Sequence, residues 1–400
     1  MLRTKKQKFT ISAEEFKSRR DKLLAFIANL NIDVKDLDET AGADFNNYPK
    51  RLVLKSGEEK NFSNDVFYPF RVNSDFYYLT GFTESEAVLV FEPAAVNPVS
   101  LYIKQADETM IIWEGERETI SSAKEKYGID NVLDIKEYDK SLEDDIPNLF
   151  TEKVLKFIHS LRAIKSNAEL DIMRRSNEIA IQAHSMIPNI IEQGIYEYEL
   201  EAHLNRAFRA QGASGWAYPA IVAAGKNSCV LHYIKNDNLV NADDLVLVDA
   251  GAEFNYYASD ITRVYAPSHR FTAEQQGVYD LVLDCQNKVI NSIKAGMAFK
   301  ELQDIAEASL AEGLYELKYI KDKDSKDELK KYFMHGIGHS LGIDVHDPGL
   351  DRKTDILMEN MVITIEPGIY ISEKGIGVRI EDNVVVKNNG FENLTEGLSK

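Results

Sequence analysis

Apolar positions recur at intervals of three and four through Phe16, Leu23, Leu24, Phe26, Ile27 and Leu30, which predicts an amphipathic helix early in the chain. The pattern then changes to short β-branched or aromatic runs bounded by Gly, Pro, Asn and Asp. Residues 51–55, 87–91, 99–103 and 110–113 each predict a strand, and residues 121–127 a helix between them. A new texture begins near residue 160. Ser166, with Glu169 three positions on, predicts a capped helix carrying Leu170, Ile172, Met173, Ile179, Ala180, Ala183 and Met186. Helices follow over 198–209, 272–295 and 299–314, and strands near 219–223, 245–250, 362–366, 376–380 and 383–386. The fold class is therefore α/β in the α+β sense, with a mixed domain over residues 1–160 and a second over 161–400. Leu245 to Val264 and Met361 to Val386 share one plan, strand, turn, strand with acids on both arms, and this suggests an internal duplication.

Composition adds exclusions. With 44% hydrophobic residues the chain can bury substantial cores, so global disorder is excluded. Its 47 basic and 65 acidic side chains leave a net charge of -18, a field that repels a phosphate backbone, so no nucleic-acid partner is expected. Cys229 and Cys285 are the only two cysteines, which excludes a disulfide framework and favours a reducing, cytoplasmic location. The basic start Met1 to Phe9 is followed by Thr10, Ser12, Glu14 and Glu15 instead of an apolar run, so no cleaved signal is expected, and no stretch is long and apolar enough to span a membrane.

The candidate chemistry lies in the second domain. Asp249 closes the apolar run Leu245-Val-Leu-Val-Asp249, where a carboxylate requires a compensating partner. If the chain turns at residues 254–255, Asp249 and Asp260 face each other across two strands, and two such carboxylates need a cation between them. That cation is either a metal or a nearby basic side chain, Arg263 being available. Glu366, ending Met361-Val-Ile-Thr-Ile-Glu366, and Glu381, alternating with Arg379 and Gly377, repeat the problem, while Asp382 should point away. Oxygen donors of this kind suit hard divalent cations. His335, His339 and His346 fall close together among Gly336, Gly338 and Gly342, which argue for irregular backbone in close approach and against a helical zinc motif. Four carboxylates and one imidazole could form a dinuclear site with ions about 3.5–4 Å apart, and metal-assisted hydrolysis of an amide is the reaction that follows.

Asp249, Asp260, His339, Glu366 and Glu381, in the contexts VDAG, SDITR, HGIGHSLG, TIEPG and VRIEDN, resemble the five-ligand set of the pita-bread metallopeptidases, which include creatinase and methionine aminopeptidase. Leu231-His232-Tyr233, His335, Asp344-Val-His346-Asp347, Tyr370 and Arg379 are similar to the Xaa-Pro aminopeptidase and prolidase branch, and residues 70–82 and 86–90 resemble the N-terminal domain of bacterial aminopeptidase P. The resemblance implies a pita-bread catalytic domain with internal pseudo-two-fold symmetry. It also implies two divalent ions per chain, assigned as Mn(II), for a donor set that also suits Fe(II), Co(II) or Zn(II). Asp260 and Glu381 would bridge them, Asp249 would hold one, and His339 with Glu366 the other. His232, His335 and His346 would line the substrate pocket, Glu366 could move protons, and Tyr370 and Arg379 would support the ligands. The implied activity removes the first residue from peptides with proline second, by a metal-bridged hydroxide. Trp113 resembles a tryptophan that reaches a neighbouring subunit's site, which implies a homodimer or homotetramer. Two other readings are a prolidase acting on dipeptides and a pita-bread module that binds peptides without cleaving them.

Overall fold

The computed structural model describes residues 9–30, 50–144, 146 and 148–400, so the basic segment expected to escape cleavage lies almost wholly outside them. Two compact units emerge, one of Ile11–Leu161 and the other of Arg162–Lys400 with Phe9 and Thr10.

The first unit opens with helix α1 (Ala13–Asn29), capped by the Ser12 hydroxyl and burying Phe16, Leu23 and Ile27 on one stripe. Strand β1 (Leu52–Lys55), the exposed hairpin β2–β3 (Asn61–Ser63, Val66–Phe67), helix α2 (Ser74–Thr80), strands β4 (Val88–Phe91) and β5 (Val99–Ile103), helices α3 (Glu108–Glu114) and α4 (Ile120–Tyr127) and strand β6 (Asn131–Asp134) follow. The sheet runs β1-β4-β5-β6, antiparallel except for β5 and β6, whose parallel pairing is joined through α3 and α4. Arg20 is buried because its guanidinium donates to the carbonyls of Leu79, Tyr127 and Gly128 at 2.9, 3.0 and 2.6 Å, satisfying acceptors at the ends of α2 and α4. One expectation is overturned here. Residues 110–113, read as a strand from their β-branched and aromatic character, lie in α3. The Asp107 side chain caps that helix by accepting from Met110 N at 2.9 Å, Gly115 closes it at φ 93°, and none of its residues is buried, so the apolar run has no sheet to join.

The second unit begins within helix α5 (Asn148–Ala163). Helices α6 (Asn167–His184) and α7 (Glu197–Ala210) precede strands β7 (Gly215–Trp216), β8 (Ile221–Ala224), β9 (Val246–Asp249), β10 (Ala252–Phe254), β11 (Tyr257–Ala258) and β12 (Thr262–Tyr265). Helices α8 (Ala273–Ser292) and α9 (Phe299–Glu316) precede β13 (Val362–Ile365), β14 (Gly368–Ile371), β15 (Ile376–Arg379), β16 (Asp382–Lys387) and β17 (Gly390–Asn393). The expected capping box of Ser166 and Glu169 is formed. Strand β9 explains its own sequence: Leu245 and Leu247 pack into one core with α8 and α9, while Val246 and Val248 pack into another with α6 and α7. A strand covered on both faces reads as a continuous apolar run, and each such side chain contributes about 1.5–3 kcal/mol.

The shared plan of the two acidic stretches takes the form of nested hairpins. In the first, β9 pairs with β12 outside and β10 with β11 inside; in the second, β13 pairs with β16 outside and β14 with β15 inside. The first hairpin turns at Asn255 and Tyr256, both at positive φ, rather than at 254–255. Its register sets Asp249 opposite Thr262, not Asp260. The displacement is two residues, and because side chains alternate with period two, Asp260 stays on the face of Asp249.

Candidate metal centre

Asp249 and Asp260 meet through a residue that the sequence did not single out. Tyr218 Oη lies 2.6 Å from Asp249 Oδ1 and 2.5 Å from Asp260 Oδ1. A phenol has one proton, so it can donate to only one carboxylate, and the other short contact calls for further positive charge. Arg379 supplies part of it. Its Nη2 donates to Asp249 Oδ2 at 2.7 Å, its Nη1 to Tyr370 Oη at 2.9 Å and its Nε to Thr262 Oγ1 at 3.2 Å. Thr262 in turn donates to Glu381 Oε2 at 2.7 Å. Arg263 plays no such part for Asp249 or Asp260, because it donates to Asp382 Oδ1 at 2.8 Å and to the Glu381 carbonyl at 2.7 Å. Asp382 accordingly points away from the acids, as its parity requires.

Glu366 and Glu381 stand one position beyond the Ile365–Asp382 pair of the second hairpin. His339 reaches them from an irregular segment whose shape depends on glycine: a Cβ on Gly338 would lie 1.9 Å from the Thr364 carbonyl oxygen. That approach lets His339 N donate to Thr364 Oγ1 at 3.1 Å. Its Nδ1 lies 3.1 Å from the Ser340 carbonyl oxygen, which fixes the proton there and leaves Nε2 facing Asp260 Oδ2 at 3.4 Å and Glu366 Oε1 at 3.6 Å. One ligand atom each from Asp260, His339 and Glu381 lies within 4.8 Å of the others. Asp249 and Glu366 border the same cavity, of about 600 Å³, as do His232, His335, His346 and Arg379. Tyr370 lies outside its lining and touches it through Arg379 and through His335 Nε2, 2.8 Å from its hydroxyl.

The electrostatics show what the cluster lacks. Burial, reinforced by neighbouring carboxylates, holds Asp249 and Glu366 above the usual carboxylate range and Glu381 well above it. Burial opposes charge on His339, but Asp260 and Glu366 outweigh it and push the imidazole up to about 9. His335, by contrast, is pulled down to about 4 by burial and by Arg379, and burial with the nearby His339 also lowers His346, whose ring meets His339 edge-on at 4.4 Å. Four carboxylates, three of them buried and Glu366 partly so, against one guanidinium and one imidazole leave an excess of negative charge. Divalent cations fit it, since the donors are oxygen-rich with a single, correctly presented imidazole nitrogen.

Two polar lining residues, Tyr218 and Arg352, escaped the sequence reading, as did apolar ones such as Ile234 and Leu350. Tyr218 carries no spacing signal in Gly-Trp-Ala-Tyr-Pro, and Arg352 sits in Asp-Arg-Lys, which reads as ordinary surface charge. Trp113 lies on α3 of the first unit and is 82% exposed.

Residues 171–388 match metallopeptidase family M24, and residues 16–151 match the aminopeptidase P N-terminal domain. The chain is 34% identical to the Xaa-Pro aminopeptidase of Escherichia coli, over 87% of this chain and 91% of that one. It is 35% identical to the Xaa-Pro aminopeptidase of Haemophilus influenzae, over 87% and 90%. Among solved structures, Pseudomonas aeruginosa aminopeptidase PepP superposes with a TM-score of 0.85 at 31% identity, covering 98% of this chain and 96% of that one. A variant of Escherichia coli aminopeptidase P in complex with substrate gives the same values. Among the described residues no helix is long and apolar enough to cross a membrane.

Proposed function

This chain belongs to metallopeptidase family M24 and carries an aminopeptidase P N-terminal domain, and we propose that it is a metal-dependent aminopeptidase that releases the first residue from peptides with proline second. The observation that carries the reading is the convergence of Asp249, Asp260, His339, Glu366 and Glu381 on one cavity that His232, His335 and His346 also line. Asp260 and Glu381 would bridge two divalent ions, which we take as Mn(II), with Asp249 on one and His339 and Glu366 on the other. When bound, such a pair lowers the pKa of water and polarises a carbonyl. Around it, the neutral His346 can donate to substrate oxygen from one ring nitrogen, while His335, whose ring nitrogens face the Gly336 carbonyl and the Tyr370 hydroxyl at 2.8 Å each, would shape the pocket, and Glu366, pushed upward by burial, is suited to take and return a proton. Proline lacks an amide N–H, so its recognition depends on shape, and Leu231, Ile234, Val345 and Leu350 supply apolar wall. The reading places the chemistry in residues 161–400, the enzyme in the cytoplasm, and Trp113 at a neighbouring site in a homodimer or homotetramer.

Cleavage of Xaa-Pro-Yaa peptides with Mn(II), beside Xaa-Ala-Yaa peptides and an Asp260→Ala variant, tests the proposal. Turnover confined to the proline series and absent from the variant is expected; equal turnover of both series would refute it. One observation favours a second reading, prolidase: Arg352 lines the cavity and offers a cation for a dipeptide's free carboxylate. Turnover of Xaa-Pro dipeptides alone would select it. The aminopeptidase P N-terminal domain favours the first.

A further inference from the structure

Part of the cavity wall is a loop, residues 225–239, which contributes Leu231, His232 and Ile234. Apart from a single 3₁₀ turn over Gly225–Cys229 it has no helix or strand of its own, so something else must hold it in place. Glu197, the first residue of α7 and fully buried, does so with every acceptor position it has. Its Oε1 accepts from Ala224 N at 2.7 Å and Asn227 Nδ2 at 3.0 Å, and its Oε2 from Tyr233 Oη at 2.7 Å and Asn238 N at 2.9 Å. Glu197 N donates back to the Asn238 carbonyl at 3.0 Å. These partners sit just before the loop, near its start, beside His232 and near its end. None of them is a cation. A carboxylate buried among neutral donors contributes little net stability compared with an apolar side chain, but it fixes the geometry of everything that donates to it.

A second anchor confirms that the loop is held on more than one side. Asn236, at φ 48° and almost fully buried, accepts from Val222 N at 3.0 Å and donates to the Ala220 carbonyl at 2.9 Å, tying the loop to β8. Ser228 Oγ accepts from Gly377 N at 2.9 Å, two residues before Arg379 in β15.

We propose that Glu197 is a positioning residue for the substrate pocket, acting on the reaction through His232 by fixing loop 225–239. This inference rests on the reading that His232 touches the substrate. Glu197→Gln keeps the shape but replaces one acceptor oxygen with an amide donor, leaving two of the loop's donors facing another donor.

The test is a double-mutant cycle on the metal-loaded full chain with an Xaa-Pro-Yaa peptide. Glu197→Gln is expected to lower kcat/KM about tenfold, chiefly through KM, with metal content unchanged, because about one hydrogen bond's worth of order is lost. In a His232→Ala background the same substitution should change kcat/KM by less than about twofold, since residues that act through one another are not additive. Equal factors in both backgrounds would overturn the role of Glu197 while leaving that of His232 intact. A His232→Ala variant as active as the parent would overturn the reading of His232 and this inference with it. If Glu197→Gln does not fold, Tyr233→Phe, which removes one donor and leaves the carboxylate, decides. A rise in KM of about threefold that vanishes in the His232→Ala background supports the role. An unchanged KM assigns Glu197 to stability alone.

Discussion

The two nested hairpins of the second unit share a topology but not a way of tolerating their acids. In the first, Asp249 has the Arg379 guanidinium at 2.7 Å and the Tyr218 phenol at 2.6 Å. In the second, Glu381 has one hydroxyl, from Thr262, and Glu366 has one long hydrogen bond, from the Thr364 hydroxyl at 3.4 Å, with the His339 ring at 3.6 Å. The helpers are also exchanged, since Arg379 belongs to the second hairpin and Thr262 to the first. Each half therefore completes the other, and the second half depends more on charge from outside the protein. Burial, with Asp260, Glu366 and Asp249 beside it, correspondingly pushes Glu381 well above the carboxylate range.

Glu381→Gln should break the comparison most sharply. Losing the proposed bridging ligand is expected to lower kcat by about 10³-fold or more in a peptide assay, while thermal unfolding of the metal-free protein at neutral pH shifts upward because a buried acid among other acids is gone. Activity near the parent level would remove Glu381 from the site. Arg379→Met comes next. It strips Asp249 of its cation and should weaken divalent binding about 10- to 100-fold by competition with a chelator, with Tyr370 and His335 also loosened. An unchanged affinity would show that the first hairpin does not rely on Arg379. The smallest effect is on pH. Asp249, Glu366 and Glu381 are raised when folded, so between their unfolded and folded pKa values the folded state holds more protons. Stability of the metal-free protein is then fully present below the unfolded values and is lost as pH rises, by at most about 1.4 kcal/mol per pH unit for each proton held. Denaturant melts at pH 7 and 8.5, above the range in which the lowered His335 and His346 titrate in the opposite sense, should show this loss without metal and little of it with metal.

Sequence made these acids conspicuous because a carboxylate inside an apolar strand breaks the local rule for burial, and Asp249, Glu366 and Glu381 all do so. The glycines around His335 and His339 were equally informative, since only close backbone approach explains them. Register was not legible: a displacement of two residues leaves the alternation unchanged, so Asp260 could be placed on a face but not opposite a partner. Tyr218 and Arg352 were hidden for another reason, because each acts through a fold-level contact that no neighbour in sequence announces. Residues 110–113 misled because apolar character predicts burial, and α3 is exposed. The helix caps at Asp107 and Gly115 were the better signal.

The central claim is that the converging carboxylates hold two divalent ions in one cavity. Its most direct test is metal content after equilibrium dialysis against Mn(II), measured by elemental mass spectrometry on the parent chain and on Asp260→Ala alongside Xaa-Pro-Yaa cleavage. The account predicts two ions per parent chain, a marked loss in the variant, and turnover that follows occupancy. A parent chain that binds no stoichiometric metal, or that cleaves at full rate after its metal is stripped, would contradict it.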